Sequence, residues 1–171
     1  APPIARADAQ TVLGRSERVE VMEGPKSVEI TGNLDTKEAN STLYVADMKY
    51  FSRDYDQWVD FTVDSGNVVS GHKLEIQRKV LKDEHVKERG GGVFHRPWVE
   101  VTLCVGKHLL TTELALMDRS AYTAQLKLGT EDIDKIGRVD TALQFTAPPD
   151  CALPTPPAPA SSAAGAPGAK P

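Results

Sequence analysis

Asp35 and Thr36 are the residues of this chain best placed to do chemistry, because they end an apolar strand-like run and begin a polar loop. A carboxylate presented by such a loop can act as a general base on water. Two carboxylates held close together cannot both ionise, so they share a proton, and one acts as base while the other acts as acid. We therefore take Asp35 and Thr36 as candidate catalytic residues that need a second carboxylate.

A second Asp-Thr pair, Asp140-Thr141, would supply that carboxylate if one chain held two lobes. Only a proline-rich segment follows this pair, which is too little chain to build a second lobe around it. We predict that Asp140 lies in a turn or at a strand end. A symmetric homodimer with one Asp35 from each copy at its two-fold axis is therefore the expected assembly.

Other catalytic and cofactor chemistries find little support in the sequence. The four histidines are scattered, with no His-Glu-x-x-His and no close ligand pair, so we interpret His72, His85, His95 and His108 as surface or turn residues. The glycines at 90–92 lack the following Lys that a phosphate-binding loop requires. We expect no metal site and no cofactor.

The composition limits the classes of partner. The chain has 171 residues, of which 40% are hydrophobic and 26% charged, which suits one domain with a proper core. Its 20 Lys and Arg against 24 Asp and Glu give a net charge of -4 without a basic run, so we exclude nucleic acid as a partner. No apolar run reaches the roughly 18 to 20 residues of a membrane span.

The pattern of the elements around Asp35 is that of an all-β protein. Apolar and polar residues alternate at period two in several stretches, which predicts strands. These stretches are 27–30, 58–63, 73–77, 98–105 and 109–116. One short helix is expected at Thr130–Ile136, with Thr130 as its N-cap. Many short strands and one late helix predict a closed or partly closed β-barrel.

The ends of the chain differ in composition from its middle. Residues 148–171 are dominated by Pro, Ala, Gly and Ser, so we predict a disordered tail, and residues 1–11 are expected to be a flexible N-terminal segment. The folded domain is then 12–147. Within it, the charged and glycine-rich stretch 82–92 is predicted to be a mobile loop or hairpin tip, either a plain connection or a cover for a ligand.

The first residues and the two cysteines are informative about the cellular location of the protein. The chain begins Ala1-Pro2-Pro3-Ile4 without Met, and we expect an exported, periplasmic protein of bacterial origin, although a shortened chain would look the same. Cys104 falls in a strand-like run and Cys151 lies just past the expected domain edge. Two interpretations stay open for them: a disulfide that pins the tail, or one buried and one exposed thiol.

Ten short blocks of residues between positions 11 and 145 matter for their order and spacing. The blocks are 11–14, 17–19, 34–36, 41–43, Asp47 with Phe51, 58–61, 96–99, 114–120, 128–129 and 139–140. No block is specific alone, but together they cover most of the domain. In this order and spacing they resemble a known family, the bacterial retropepsin-like aspartic peptidases, whose members are often labelled ATP-dependent zinc proteases.

This resemblance implies a retropepsin-like β-barrel with one catalytic Asp per subunit, which by position is Asp35, and a cleft for a peptide or protein ligand. Asp118-Arg119-Ser120 matches one of the family blocks. An Arg-carboxylate pair that fixes a turn explains these three residues without a catalytic role.

The chain departs from the family pattern at the catalytic loop and beneath it. Lys37 stands where the family has Gly after Asp-Thr, and Glu38 replaces a small residue. Lys127 interrupts an apolar-apolar-Gly element, and Thr130 replaces the usual Arg. A Cβ at position 37 costs more than Gly in a strained conformation, and the ammonium favours an ionised Asp35. We therefore expect catalysis to be lost or altered, the alternative being an active homodimeric aspartic endopeptidase.

Overall fold

The computed structural model describes residues 11–66, 68–69, 71–87, 89–118 and 124–151. Residues 1–10 and 152–171, which make up most of the two predicted flexible ends, lie outside the described residues, as do Arg119 and Ser120. The described part contains eleven strands and one helix, α1. They are β1 Thr11–Leu13, β2 Ser16–Glu23, β3 Lys26–Leu34, β4 Thr42–Arg53, β5 Asp56–Asp64, β6 Lys73–Lys79, β7 Lys82–Lys87, β8 Val93–Val105, β9 His108–Asp118, β10 Leu126–Leu128, α1 Thr130–Ile136 and β11 Gly137–Val139.

Six strands form a closed barrel in the order β10, β3, β2, β8, β9, β4. The ring closes because β10 pairs with β3 in parallel and also with β4 in antiparallel fashion. Strands β5 and β6 extend the sheet outward from β4, and β7 pairs with β8 alone. The predicted closed, all-β barrel with one short helix is thereby confirmed.

The barrel interior is filled by the apolar residues that alternate along its strands. Val19 and Val21 of β2, Val28 and Ile30 of β3, and Val101 of β8 are all buried. Most of their neighbours in sequence are partly or fully exposed, and Met22, which is buried, is the exception. Removing such side chains from water is the main term that stabilises the fold.

Strand β4 bends, and its two halves pair with different strands. Its first half pairs with β9 in parallel, and its second half pairs with β5. The register between β4 and β5 shifts between Ala46 and Lys49, and Asp47 there has a φ of 52°. An extra residue of this kind turns a strand out of its sheet. The hairpin of β4 and β5 therefore projects from the barrel and ends at Asp54 and Tyr55, with φ of 52° and 70°.

Most predicted elements are found, with two differences. The five predicted strands fall within β3, β5, β6, β8 and β9, and the helix occupies Thr130–Ile136 as expected. The prediction of Thr130 as N-cap is wrong: Gly129 is the N-cap, and no side chain caps it. The prediction of a mobile loop or hairpin tip over 82–92 is wrong for residues 82–87, which form strand β7 paired with β8. Only the residues between these two strands are left for the tip of the hairpin. The helix is too short to cross a membrane.

A buried carboxylate anchors the C-terminal segment to the barrel. Glu17 is fully buried, and its carboxylate accepts hydrogen bonds from the Gly14, Thr146 and Ala147 amides and the Thr146 hydroxyl, at 2.6 to 3.2 Å. Four donors compensate the loss of water around this charge. Asp140 accepts a hydrogen bond from the Ala142 amide at 3.0 Å just after β11, which places Asp140 in a turn as predicted.

The C-terminal segment stays on the barrel beyond residue 147, the expected domain edge. The Asp150 amide donates to the Gly106 carbonyl at 2.7 Å, and Cys151 forms a disulfide with Cys104 of β8. Of the two interpretations of the cysteines, the structure shows the disulfide. Residues 148–151 therefore pack with the domain.

We predict that the disulfide stabilises the domain mainly by restricting the unfolded chain. It closes a loop with a sequence separation of 47, for which chain entropy gives up to about 4 kcal/mol. Cys151→Ser should lower the free energy of unfolding by about 2 to 4 kcal/mol in denaturant titrations. Dithiothreitol should destabilise the unmodified protein by a similar amount and leave Cys151→Ser unchanged. Equal stability of the oxidised and reduced protein would contradict this role.

Candidate active site

The Asp35 loop is held by a strand that passes between its two ends. The loop joins β3 to β4, and β10 lies between these strands and pairs with both. Leu126 of β10 aligns with Gly32 on one side and with Leu43 on the other. A loop whose two supporting strands share one central neighbour has little freedom to shift. The position of Asp35 is therefore fixed by β10.

Asp35 itself is partly buried and is oriented by backbone hydrogen bonds. Its amide donates to the Leu128 carbonyl at 2.8 Å, and its Oδ1 accepts a hydrogen bond from the Lys37 amide at 2.8 Å. Thr36 is exposed, and its hydroxyl has no hydrogen-bond partner in the described part of the chain. The loop thus presents one oriented carboxylate next to one exposed threonine.

Gly129 is required where β10 runs into α1 beneath the loop. A Cβ at this position would lie 2.5 Å from the carbonyl oxygens of both Ala39 and Asn40. The backbone contact continues at the next residues, since the Thr130 amide donates to the Glu38 carbonyl at 2.7 Å and the Glu131 amide donates to the Ala39 carbonyl at 3.1 Å. The first turn of α1 therefore rests against the far end of the Asp35 loop.

A buried polar network ties the same end of the loop to the barrel. The Ser41 hydroxyl donates to Asp132 Oδ2 at 2.5 Å and accepts the Gly129 amide at 3.0 Å. The Thr112 hydroxyl donates to Asp132 Oδ1 at 2.6 Å, and Lys135 Nζ lies 3.4 Å from that oxygen. Asp132 is only 4% exposed. The sequence indicated Asp132 merely as an acid in the first turn of a helix, and only the fold brings Ser41 and Thr112 to it.

Two of the unusual residues around the loop contact each other. Lys127 Nζ lies 3.4 Å from Glu38 Oε1, so the charge that interrupts β10 pairs with the charge added to the loop. Lys37 forms no ion pair within the described residues, so its ammonium does not pair with Asp35 of the same chain. The described non-glycine residues with positive φ are Asp47, Asp54, Tyr55 and Phe145. Lys37 therefore fits the loop without left-handed backbone.

An acidic pocket of about 320 Å³ opens beside the loop. It reaches from Asn40 to Trp98 of β8, and Glu100, Glu113 and Glu131 contribute exposed carboxylates to its lining. Lys135 also lines the pocket, but its ammonium is paired with Asp132. The three exposed carboxylates therefore leave a negative potential that attracts a cationic group. The pocket was not predicted, since its residues come from four separate parts of the chain.

Comparisons with known proteins agree with this architecture. A family profile described as retropepsin-like aspartic endopeptidase RimB matches residues 12–150. A crystal structure of protein Lpg0085 from Legionella pneumophila, of unknown function, superposes with a TM-score of 0.65 at 20% identity, covering 80% of this chain and 98% of that one. A probable alpha-L-glutamate ligase of Desulfotalea psychrophila is 26% identical over 115 residues, which are 67% of this chain. The chain spans only 25% of that relative's length.

We predict that Gly129→Ala disrupts the loop far more than an ordinary glycine substitution does. The added Cβ collides with two carbonyl oxygens that cannot move without displacing the Asp35 loop. The free energy of unfolding should fall by at least about 3 kcal/mol in denaturant titrations. Gly24→Ala is the control, since its Cβ would meet nothing within 4 Å and only its φ of 59° opposes alanine. Equal losses in the two variants would contradict the close contact.

Proposed function

The chain belongs to the RimB-like family of retropepsin-like aspartic endopeptidases, and we propose that it binds extended polypeptide beside Asp35 while its peptidase activity is lost or altered. The observation that carries this proposal is the placement of Lys37. Its exposed side chain follows the catalytic position, and within the described residues no carboxylate pairs with it. The family fold alone does not establish activity.

The effect of Lys37 on catalysis follows from symmetry. A dimer that brought two Asp35 carboxylates to a two-fold axis would bring two Lys37 residues close to them. Glu38, the neighbouring acid, is already paired with Lys127 and does not neutralise Lys37. Two ammonium groups beside two carboxylates stabilise the state in which both carboxylates are ionised. Aspartic peptidase chemistry needs one proton shared between them, so this charge pattern opposes it.

The acidic pocket supports the binding part of the proposal. It adjoins the Asp35 loop at Asn40 and Ser41 and carries the carboxylates of Glu100, Glu113 and Glu131. An extended peptide bound along the loop would place a Lys or Arg side chain in this pocket. Binding of this kind uses side-chain pockets and does not need a catalytic pair. We therefore expect a preference for basic peptide segments.

The second candidate function is an active homodimeric aspartic endopeptidase that uses an Asp35 pair. It is favoured by the order of the loop, in which backbone hydrogen bonds with Leu128 and Lys37 orient Asp35. The exposed Thr36 would be accessible to a second copy. In this case the Lys37 side chains would turn away from the dyad.

An exported, cell-envelope location is part of the first proposal. The disulfide between Cys104 and Cys151 supports it, because structural disulfides persist in oxidising compartments and are rare in the bacterial cytosol.

We predict that removing the Lys37 charge restores cleavage. Lys37→Gly, alone and combined with Glu38→Ala, should produce peptide cleavage that pepstatin inhibits, because the carboxylate pair can then share a proton. The measurement is mass spectrometry of a peptide library after incubation at acidic to near-neutral pH. Lys37→Arg is the matched control: it retains the charge and should show no gain.

Two outcomes would contradict this account. Cleavage by the unmodified protein that disappears in Asp35→Asn would favour the second candidate. Identical inactivity of the unmodified protein and Lys37→Gly, with folding confirmed by circular dichroism, would show that Lys37 is not the block.

We predict separately that the chain self-associates as a dimer, because each copy holds one Asp35 loop. Sedimentation equilibrium should give about twice the 18.5 kDa chain mass at high protein concentration. Asp35→Asn should still dimerise, at most slightly more weakly, since an exposed ion pair between Asp35 and Lys37 of the other copy contributes only about 0 to 1 kcal/mol. A strict monomer would exclude the dyad and leave the peptide-binding proposal to be tested by titration with basic peptides.

A further inference from the structure

The hairpin of β7 and β8 places two histidines and one carboxylate on the same face. His85 and His95 stand directly opposite each other in the antiparallel register, and Asp83 lies two residues before His85 on β7. Residues two apart on a strand share a face, and directly opposed residues are nearest neighbours across the ladder. The sequence did not reveal this group because His85 and His95 become neighbours only through the hairpin register.

The distances within this group suit a metal ion. Asp83 Oδ2 lies 3.2 Å from His95 Nδ1 and 4.0 Å from His85 Nε2, and the potential ligand atoms of the three residues all lie within 4.8 Å of one another. Tetrahedral zinc with bonds of about 2.0 to 2.1 Å places its ligand atoms about 3.3 Å apart. One pair already matches this spacing, and small rotations of exposed imidazoles bring in the other.

The carboxylate supplies a second observation that points to a ligand. Asp83 Oδ1 is buried and has no hydrogen-bond partner among the described residues, while Oδ2 of the same carboxylate faces both histidines. Leaving a buried carboxylate oxygen unpaired is costly, and a cation bound to this carboxylate would compensate part of that cost.

We propose that Asp83, His85 and His95 form a binding site for one divalent transition-metal ion of the zinc class. Two imidazole nitrogens and one carboxylate oxygen are ligands that zinc takes in proteins, whereas magnesium and calcium prefer oxygen ligands alone. Both histidine side chains are more than half exposed, so the ion can enter and a fourth position remains for water. This site is independent of the Asp35 loop and of the proposed function.

The ion would add a cross-strand link to the ladder of β7 and β8 near its turn. Among the described strands β7 pairs only with β8, and the turn beyond it contains Gly90 and Gly91, with φ of 93° and 94°. A metal that bridges β7 and β8 would therefore hold the hairpin stem against opening. Its expected effect is local order in the hairpin rather than chemistry.

Isothermal titration of the full chain, prepared without an affinity tag, with zinc chloride tests the proposal. One equivalent of zinc should bind, magnesium should not, and cobalt should give the visible absorption of a tetrahedral site. His85→Gln and His95→Gln should each weaken zinc binding at least about tenfold. His72→Gln is the matched control, since His72 is exposed and lies outside the group, and it should bind as the unmodified protein does.

A second readout separates a built site from adventitious surface binding. Hydrogen exchange of the β7 amides should slow on addition of zinc in the unmodified protein and remain unchanged in His95→Gln. The proposal would be overturned by the absence of saturable binding at one equivalent. Equal affinity in His85→Gln, His95→Gln and the unmodified protein would overturn it as well.

Discussion

The passage of Leu126–Leu128 between the two strands that carry the Asp35 loop is the constraint on which the rest of this structure depends. That short strand closes the barrel, because it pairs with both β3 and β4. It fixes Asp35 through the hydrogen bond to the Leu128 carbonyl. Gly129 then lets the chain pass so close to Ala39 and Asn40 that no side chain fits. Helix α1 begins there and carries Asp132 to its buried partners.

The residues that depart from the family pattern leave the closing strand in place. Lys127 sits on the closing strand itself, yet its side chain reaches out to Glu38 and leaves Leu126 and Leu128 buried. Lys127 and Glu38 neutralise each other's charge, so the barrel accommodates both residues. Lys37 is different, because it has no partner within the described chain. The fold therefore accommodates all three residues, and in the function that we propose only Lys37 opposes the catalytic chemistry.

The sequence predicted those elements that bury one face and expose the other, because such elements have a regular pattern of apolar and polar residues. Strands β5, β6, β8 and β9 alternate because one face is buried, and the short helix follows from its first-turn acids. Strand β4 was not predicted, because its outer half is exposed and a bulge at Asp47 interrupts the alternation of apolar and polar residues. Strand β7 looked like a loop because an edge strand tolerates charge. The Asp132 network and the Asp83 group are built from distant residues, and local pattern carries no information about such pairings.

The most direct test of the central claim is a crystal structure of the protein in its solution assembly, read at the Asp35 loops. The account predicts that Lys37 Nζ lies within about 4 Å of the Asp35 carboxylate of the two-fold related copy, the distance of an ion pair. Each carboxylate would then be neutralised by an ammonium instead of sharing a proton. Two Asp35 carboxylates in direct contact across the axis, with both Lys37 side chains in solvent, would contradict the account and identify an active peptidase.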